Sequence, residues 1–398
     1  MRFVGSHDSQ WEKRGMGEKK SIIILGSTGS VGQQTLKIVD DFPDRYEVYA
    51  LSANSNEDLL IEQAKKYLPD TVVIADESKY QKVQDALWED EVKVYAGKDS
   101  LKQIVTTSEV KIIVNALLGF SGLEPTIEAI KSGKRVALAN KESLVVAGPI
   151  IAKLLEKYPA SIIPIDSEHS AIFQCLVGEF DNPIEKIFLT ASGGPFRGKS
   201  PEELGEISVS EATNHPNWKM GKKISVDSAT MINKGFEMIE AQWLFGIKPD
   251  QIEILMHPES LIHSMVQFGD GSVKAQMGVS DMRIPIQYAL SFPERLNSKV
   301  ERMDFFKNPK LNFEAFDLKN YPNLNLVIKA MEEGGIKPCI LNAANEVAVE
   351  SFLQLQIGFN QIAEINQQTI EAIPNEELKL ENLNQIDQKA REIAKSFI

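Results

Sequence analysis

A short β-branched run, Ser21-Ile22-Ile23-Ile24-Leu25, ends directly on Gly26-Ser27-Thr28-Gly29-Ser30-Val31-Gly32 and continues into an amphipathic stretch, Gln33–Asp41. Few local patterns restrict a fold as tightly. Gly26 and Gly29 permit a tight strand-to-helix turn and a close backbone approach to a pyrophosphate. Gly32 lets the helix pack near the strand, and the helix N-terminus supplies N–H donors and the positive end of a dipole. No Lys-Ser/Thr pair follows the last glycine, so the turn is not a P-loop. A plain strand–helix connection is the bland alternative.

The pattern repeats downstream. Val48–Leu51, Val72–Ala75, Ile112–Asn115 and Val136–Ala139 are short β-branched runs, and Glu57–Tyr67 and Lys79–Trp88 between them read as helices. Strands alternating with helices make βαβ units and a parallel sheet covered on both faces. The expected fold is α/β, with a Rossmann-like dinucleotide-binding domain over 21–150, after a mobile extension over 1–20. A second α/β domain over 151–310 is predicted, with strands at Ser161–Ile165, Ile187–Thr190, Glu253–Met256 and Ser272–Met277. Alternation in the last two suggests an antiparallel pair. Tyr321–Gly334, Cys339–Leu355, Gly358–Ala372 and Leu383–Ile398 predict a small helical C-terminal domain over 311–398.

Composition narrows the partners. Lys and Arg number 43 against 56 acidic residues, a net charge of −13, which argues against a nucleic-acid surface. The two cysteines, Cys175 and Cys339, are far apart and form no CxxC, as expected in a reducing cytoplasm. No apolar run is long enough to span a bilayer, and residues 1–20 lack a signal-peptide core.

Several segments carry candidate chemistry. An NAD site usually places an acid at the end of the second strand, to grip the ribose 2′-hydroxyl. Here that segment is Asn54-Ser55-Asn56, which favours NADP. After Ile165 come Asp166, Ser167 and Glu168; in a strand, residues i and i+2 share a face, so the two carboxylates converge. Asn233, Lys234 and Glu237 are spaced to lie together on a helix. Three carboxylates suit a hard cation such as Mg²⁺ or Mn²⁺, although a strand-end turn and a solvated helix face explain the same residues. Ser192-Gly193-Gly194 offers a hydroxyl and bare N–H groups to an anion. Ser228, read as the N-cap of the helix carrying Asn233 and Lys234, adds to a phosphate pocket. Asn214–Gly221, with Trp218 and Met220 between Pro and Gly hinges, reads as a lid. His215 sits in that loop and His169 follows the carboxylates, whereas His257 and His263 read as structural.

Taken in order, GSTGSVG at 26–32, ALANKES at 137–143, IDSEHSA at 165–171, ASGGPFR at 191–197, HPNWKMGKKISVDSATMINKGFE at 215–237 and LNAANEVAV at 341–349 resemble the 1-deoxy-D-xylulose 5-phosphate reductoisomerase family. The resemblance implies metal-dependent isomerisation and NADPH-dependent reduction of that sugar phosphate to 2-C-methyl-D-erythritol 4-phosphate, in the methylerythritol phosphate route to isoprenoids. It implies Asp166, Glu168 and Glu237 as ligands of Mn²⁺, Mg²⁺ or Co²⁺. Substrate contacts then fall to Lys141, Ser167, Glu168, Ser192, His215, Ser228, Asn233, Lys234 and Glu237, with Lys141, Glu168 and His215 as catalytic candidates. Cofactor contacts fall to Thr28, Gly29, Ser30, Val31, Asn54, Ser55, Asn56, Asn140, Glu142 and Gly221, and the lid to Trp218 and Met220. A homodimer is implied, with no nucleic-acid or membrane partner. The family often carries Gly-Lys-Asn where this chain has Asn54-Ser55-Asn56. A lysine that meets the 2′-phosphate is therefore missing, but no acid replaces it.

Overall fold

The computed structural model describes residues 19–179, 181–218 and 220–398. The extension expected over 1–20 lies outside them, apart from Lys19 and Lys20, and Lys20 already belongs to the first strand. In chain order the strands are β1 (Lys20–Leu25), β2 (Tyr46–Ala53), β3 (Thr71–Ile74), β4 (Lys93–Ala96), β5 (Ile112–Asn115), β6 (Arg135–Leu138), β7 (Ser161–Pro164), β8 (Ile184–Ala191), β9 (Ile252–Met256), β10 (Ile262–Phe268) and β11 (Val273–Met277). The helices of the first half are α1 (Ser30–Asp41), α2 (Glu57–Tyr67), α3 (Tyr80–Leu87), α4 (Lys98–Ile104), α5 (Leu123–Lys131), α6 (Glu142–Lys157) and α7 (Ser167–Leu176). Those of the second half are α8 (Val209–Ala212), α9 (Lys222–Ala229), α10 (Ile232–Phe245), α11 (Arg283–Ser291), α12 (Pro322–Glu333), α13 (Lys337–Leu353), α14 (Gln361–Ala372) and α15 (Leu383–Lys395).

These elements form two compact units. One runs to Asn140 and takes in Ile151–Ser170 and Met282–Val300; the other comprises Lys141–Ile150, Ala171–Asp281 and Glu301–Ile398. The first unit holds a parallel seven-stranded sheet in the order β4-β3-β2-β1-β5-β6-β7. Ile22, Ile23, Ile24 and Leu25 of central β1 are fully buried, which is why they read as an unbroken apolar run. Each contributes about 2 kcal/mol by leaving water. Strand order reverses between β1 and β5, and ligands of open α/β sheets bind at such a switch point, beyond the carboxyl ends of the strands. The glycine turn follows β1 there. Sequence reading missed β4, an edge strand whose Lys93 and Tyr95 face solvent. It also missed α11, which packs on α1, β6 and β7. Arg135 Nη1 donates to the Phe292 carbonyl at 3.0 Å, closing the end of α11.

The second unit holds a four-stranded sheet, β11-β10-β8-β9. The expected antiparallel pairing of Glu253–Met256 with Ser272–Met277 is wrong: those strands, β9 and β11, occupy opposite edges. β9 pairs parallel to β8, and β11 pairs antiparallel to β10. Interior β10 breaks the apolar pattern by burying His263 and Ser264. The four C-terminal helices appear as expected. α13 contacts α9, α12, α14 and α15, and Cys339, Ile340, Leu341, Ala344 and Ala348 are fully buried along it. Val226 and Ala229 of α9, and Phe196 after β8, share that core. No helix among the described residues is long and apolar enough to cross a membrane.

Candidate active site

The glycine turn is held by polar contacts that sequence reading did not include. Ser27 Oγ donates to Gln63 Oε1 at 2.7 Å, and the Gly26 N–H donates to Ser52 Oγ at 3.0 Å, tying the turn to β2 and α2. The available signal was Ser52 itself, a polar residue in an apolar strand. A Cβ on Gly32 would lie 2.3 Å from the Gly26 carbonyl oxygen, so only glycine lets α1 approach this closely. Gly29 caps α1 without any side-chain bond to its first N–H groups. Thr28, Gly29, Ser30 and Val31 therefore surround an exposed helix start that fits a pyrophosphate. Asn54, Ser55 and Asn56 are exposed at the end of β2, with the Asn56 side chain accepting from the Leu59 N–H as the N-cap of α2. The Asn140 amide donates to the carbonyls of Leu117 and Gly119 at 3.0 and 2.8 Å, shaping the loop after β5.

Asp166 and Glu168 do converge, with carboxylate oxygens within 4.8 Å of each other. The strand argument for it was wrong, however. β7 ends at Pro164 and α7 begins at Ser167, so a strand-to-helix turn brings them together. Ser167 Oγ donates to Glu168 Oε2 at 2.5 Å, and His169 is fully buried with Nδ1 4.0 Å from Asp166 Oδ2.

In the second unit, α10 presents Asn233, Lys234 and Glu237 together, as the spacing predicted. Glu237 is buried, and its carboxylate accepts from Asn233 Nδ2 at 2.5 Å, Lys234 Nζ at 2.5 Å and Lys141 Nζ at 3.3 Å. Lys141 Nζ also donates to Asn233 Oδ1 at 2.8 Å, and Lys234 Nζ to the Thr190 carbonyl at 2.7 Å. Two buried ammonium groups thus partner one buried carboxylate, which offsets the cost of burying its charge. Glu142 turns to Lys223, 3.0 Å away. Burial works against its charge, but Lys223 outweighs burial and holds the carboxyl below its usual range.

His215 Nδ1 accepts from the N–H groups of Asn217 and Trp218 at 3.2 and 3.0 Å. The ring proton of the neutral imidazole is thereby assigned to Nε2, which faces Ser192 Oγ at 3.1 Å. Ser192 Oγ also accepts from the Gly194 N–H at 3.2 Å, so the serine proton remains to donate. Ser228 is not an N-cap. It lies in the last turn of α9, and α10 starts after Met231, a residue in the left-handed region at φ 60°. Ser228 still lies beside the Ser192 turn, because a Cβ on Gly194 would come within 2.9 Å of its carbonyl oxygen. In the loop before α9, the Trp218 ring lies 6.0 Å from that of His263. Asn217, unflagged by sequence, donates to Pro258 O at 2.8 Å and Ser260 Oγ at 2.9 Å. Met220 is half-buried, and Gly221 caps α9. His257 is structural as expected, with Nδ1 2.8 Å from the Asn312 carbonyl and Nε2 accepting the Leu261 N–H at 3.2 Å.

Three family models match the chain: 1-deoxy-D-xylulose 5-phosphate reductoisomerase over 22–148, its C-terminal domain over 162–245, and a DXP reductoisomerase C-terminal domain over 277–393. A Bacteroides fragilis protein named 1-deoxy-D-xylulose 5-phosphate reductoisomerase is 54% identical over 353 residues, covering 89% of this chain and 91% of its own. A Phocaeicola vulgatus protein of the same name is 52% identical over 381 residues, covering 96% and 99%. Among solved structures, the Zymomonas mobilis enzyme in complex with NADPH is 42% identical with a TM-score of 0.88, covering 95% of this chain and 99% of its own. A DOX-P reductoisomerase in complex with NADPH, fosmidomycin and magnesium is 40% identical with a TM-score of 0.90, covering 95% and 98%. Fold, motif order and these matches agree, and the chain belongs to the 1-deoxy-D-xylulose 5-phosphate reductoisomerase family.

Proposed function

We propose that this chain isomerises 1-deoxy-D-xylulose 5-phosphate and reduces the product with NADPH to 2-C-methyl-D-erythritol 4-phosphate, for isoprenoid synthesis. The observation that carries this reading is Glu237, a buried carboxylate gripped by Lys141, Asn233 and Lys234. A hydride-transfer site alone has no need of that arrangement.

Asp166, Glu168 and Glu237 are assigned to a divalent cation, a fit supported by an all-oxygen donor set. When bound, the cation supplies Lewis-acid stabilisation of negative charge on substrate oxygens, and NADPH at the glycine turn supplies the hydride. The chain's own groups do the rest. Lys141 keeps an ammonium beside Glu237, where it stabilises a developing oxyanion. Ser192, Ser228, Asn233 and Lys234 anchor the substrate phosphate, so that remote binding energy orients the reacting carbons. His215 directs the Ser192 proton toward the ligand, while Ser167 holds Glu168. Trp218 and Met220 exclude water from the closed site. Glu168 and Lys141 are the proposed proton carriers. NADPH over NADH is supported by the lack of an acid at 54–56. A homodimer is proposed from the family resemblance, and the division at residues 150 and 310 from the sequence pattern. A reducing cytoplasm suits two buried free thiols.

The test follows NADPH absorbance with 1-deoxy-D-xylulose 5-phosphate, with and without Mn²⁺ or Mg²⁺, and repeats it with NADH. Metal-dependent consumption that yields the branched polyol phosphate is expected. A folded protein that binds NADPH but consumes none with any metal would overturn the assignment.

A further inference from the structure

ALANKES at 137–143, the long central segment at 215–237 and LNAANEVAV at 341–349 carry polar residues that no step above uses. The second unit joins them. Lys223 Nζ lies 3.0 Å from Glu142 Oε1 and 2.7 Å from Asp227 Oδ2. Asn345 Nδ2 donates to the other oxygen, Asp227 Oδ1, at 2.9 Å. Asn345 Oδ1 in turn accepts from Asn366 Nδ2 at 3.3 Å, and that amide also reaches Asn323 Oδ1 at 2.8 Å. One polar chain thus ties α6, α9, α13, α14 and α12. Asp227 is 1% exposed, and Asn345 and Asn366 are fully buried. Burial disfavours the Lys223 charge, but the carboxylates of Asp227, Glu142 and Glu346 outweigh it and hold its pKa above the usual value.

Apolar residues of similar shape often stabilise a core as well as buried charge does. What this chain of contacts adds is a fixed position for the end of α9. Asp227 immediately precedes Ser228, and its carbonyl accepts from Thr230 Oγ1 at 3.2 Å. The Ser228 carbonyl accepts from the Met231 N–H at 3.2 Å, at the left-handed joint that launches α10 with Asn233 and Lys234. The same carbonyl faces Gly194, so α9 cannot slide without disturbing the Ser192 turn.

We propose that Asp227, clamped between Lys223 and Asn345, is a positioning residue that sets Ser228 and the α9–α10 joint to receive the substrate phosphate. The C-terminal helices thereby act on substrate affinity without touching substrate. This rests on the reading in which Ser228, Asn233 and Lys234 hold the phosphate.

Asn345→Ala removes one donor and adds no charge, while Asp227→Asn removes the charge and keeps the shape. Both are expected to raise the KM for 1-deoxy-D-xylulose 5-phosphate about tenfold or more, with kcat lowered by less than about threefold, because misplaced anchors weaken orientation. NADPH affinity and the far-UV circular dichroism spectrum should be unchanged. Asn345→Asp sets a second carboxylate against Asp227 and should raise KM further than Asn345→Ala. Ser228→Ala and Lys234→Ala serve as controls. If both controls raise KM while Asn345→Ala and Asp227→Asn lower only the melting temperature, the clamp is packing alone and the proposal falls. Controls that leave KM unchanged would instead overturn the phosphate reading, and the clamp's proposed role with it. Asn345→Ala keeps the test decisive if Asp227→Asn fails to fold.

Discussion

Glu237→Gln should lower kcat by about a thousandfold or more while NADPH affinity stays within about twofold, since a charge stabilising the reacting centre is lost without a change of shape. The amide keeps the volume of the carboxylate but turns an NH₂ toward the Asn233, Lys234 and Lys141 groups that now donate to it. Lys141 and Lys234, which now share one buried carboxylate, would face each other's charge without it. Part of the loss would therefore come from displaced lysines and part from weaker cation binding. Titrating the variant with Mn²⁺ separates the two. Activity recovered at high metal points to affinity, and a loss that metal does not rescue points to the lysines. Retained turnover at ordinary metal would remove Glu237 from the ligand set.

Gly32→Ala should abolish NADPH binding and lower stability by about 3 kcal/mol or more, beyond most overpacking changes. Its Cβ would stand 2.3 Å from the Gly26 carbonyl oxygen and 2.5 Å from Ser27 Cα. Both are backbone atoms, and both are fixed by the contacts of Ser27 and Ser52. No rotamer relieves the clash, so α1 must move away from β1 and withdraw its N–H groups. Dye-monitored melting and fluorescence titration of NADPH would check both effects. A variant that binds NADPH at native affinity would show that the turn is not the pyrophosphate site.

The legible parts of this fold share a physical cause. β3, β5 and β6 are buried along their whole length, and β1 and β2 over their C-terminal halves, so burial demands mostly apolar runs there, and the sequence displays them. The helices α12 to α15 were readable because Gly, Pro and Asn punctuate them. β10 was hidden because its interior holds His263 and Ser264, and β4 because an edge strand need not be apolar. Asp166 and Glu168 were paired correctly for a mistaken reason, since a turn can bring two carboxylates together as well as a pleat can. Ser228 was misplaced because Met231 takes a left-handed conformation that nothing in its side chain advertises. Least visible was the contact of Asn345 with Asp227, 118 positions away in sequence. A polar residue on a helix looks the same in sequence whether water or another helix faces it.

The proton count at Ser192 has its own consequence. Its oxygen accepts from His215 and from Gly194, so the hydroxyl meets a ligand only as a donor. Lys234 and the backbone N–H groups also have only protons to give. If Ser192 and Lys234 hold the substrate phosphate as proposed, these donors favour a phosphate monoester that has lost both protons over one that retains a P–OH. The second ionisation of such esters falls near pH 6, so acidification should weaken substrate binding through the substrate's own titration.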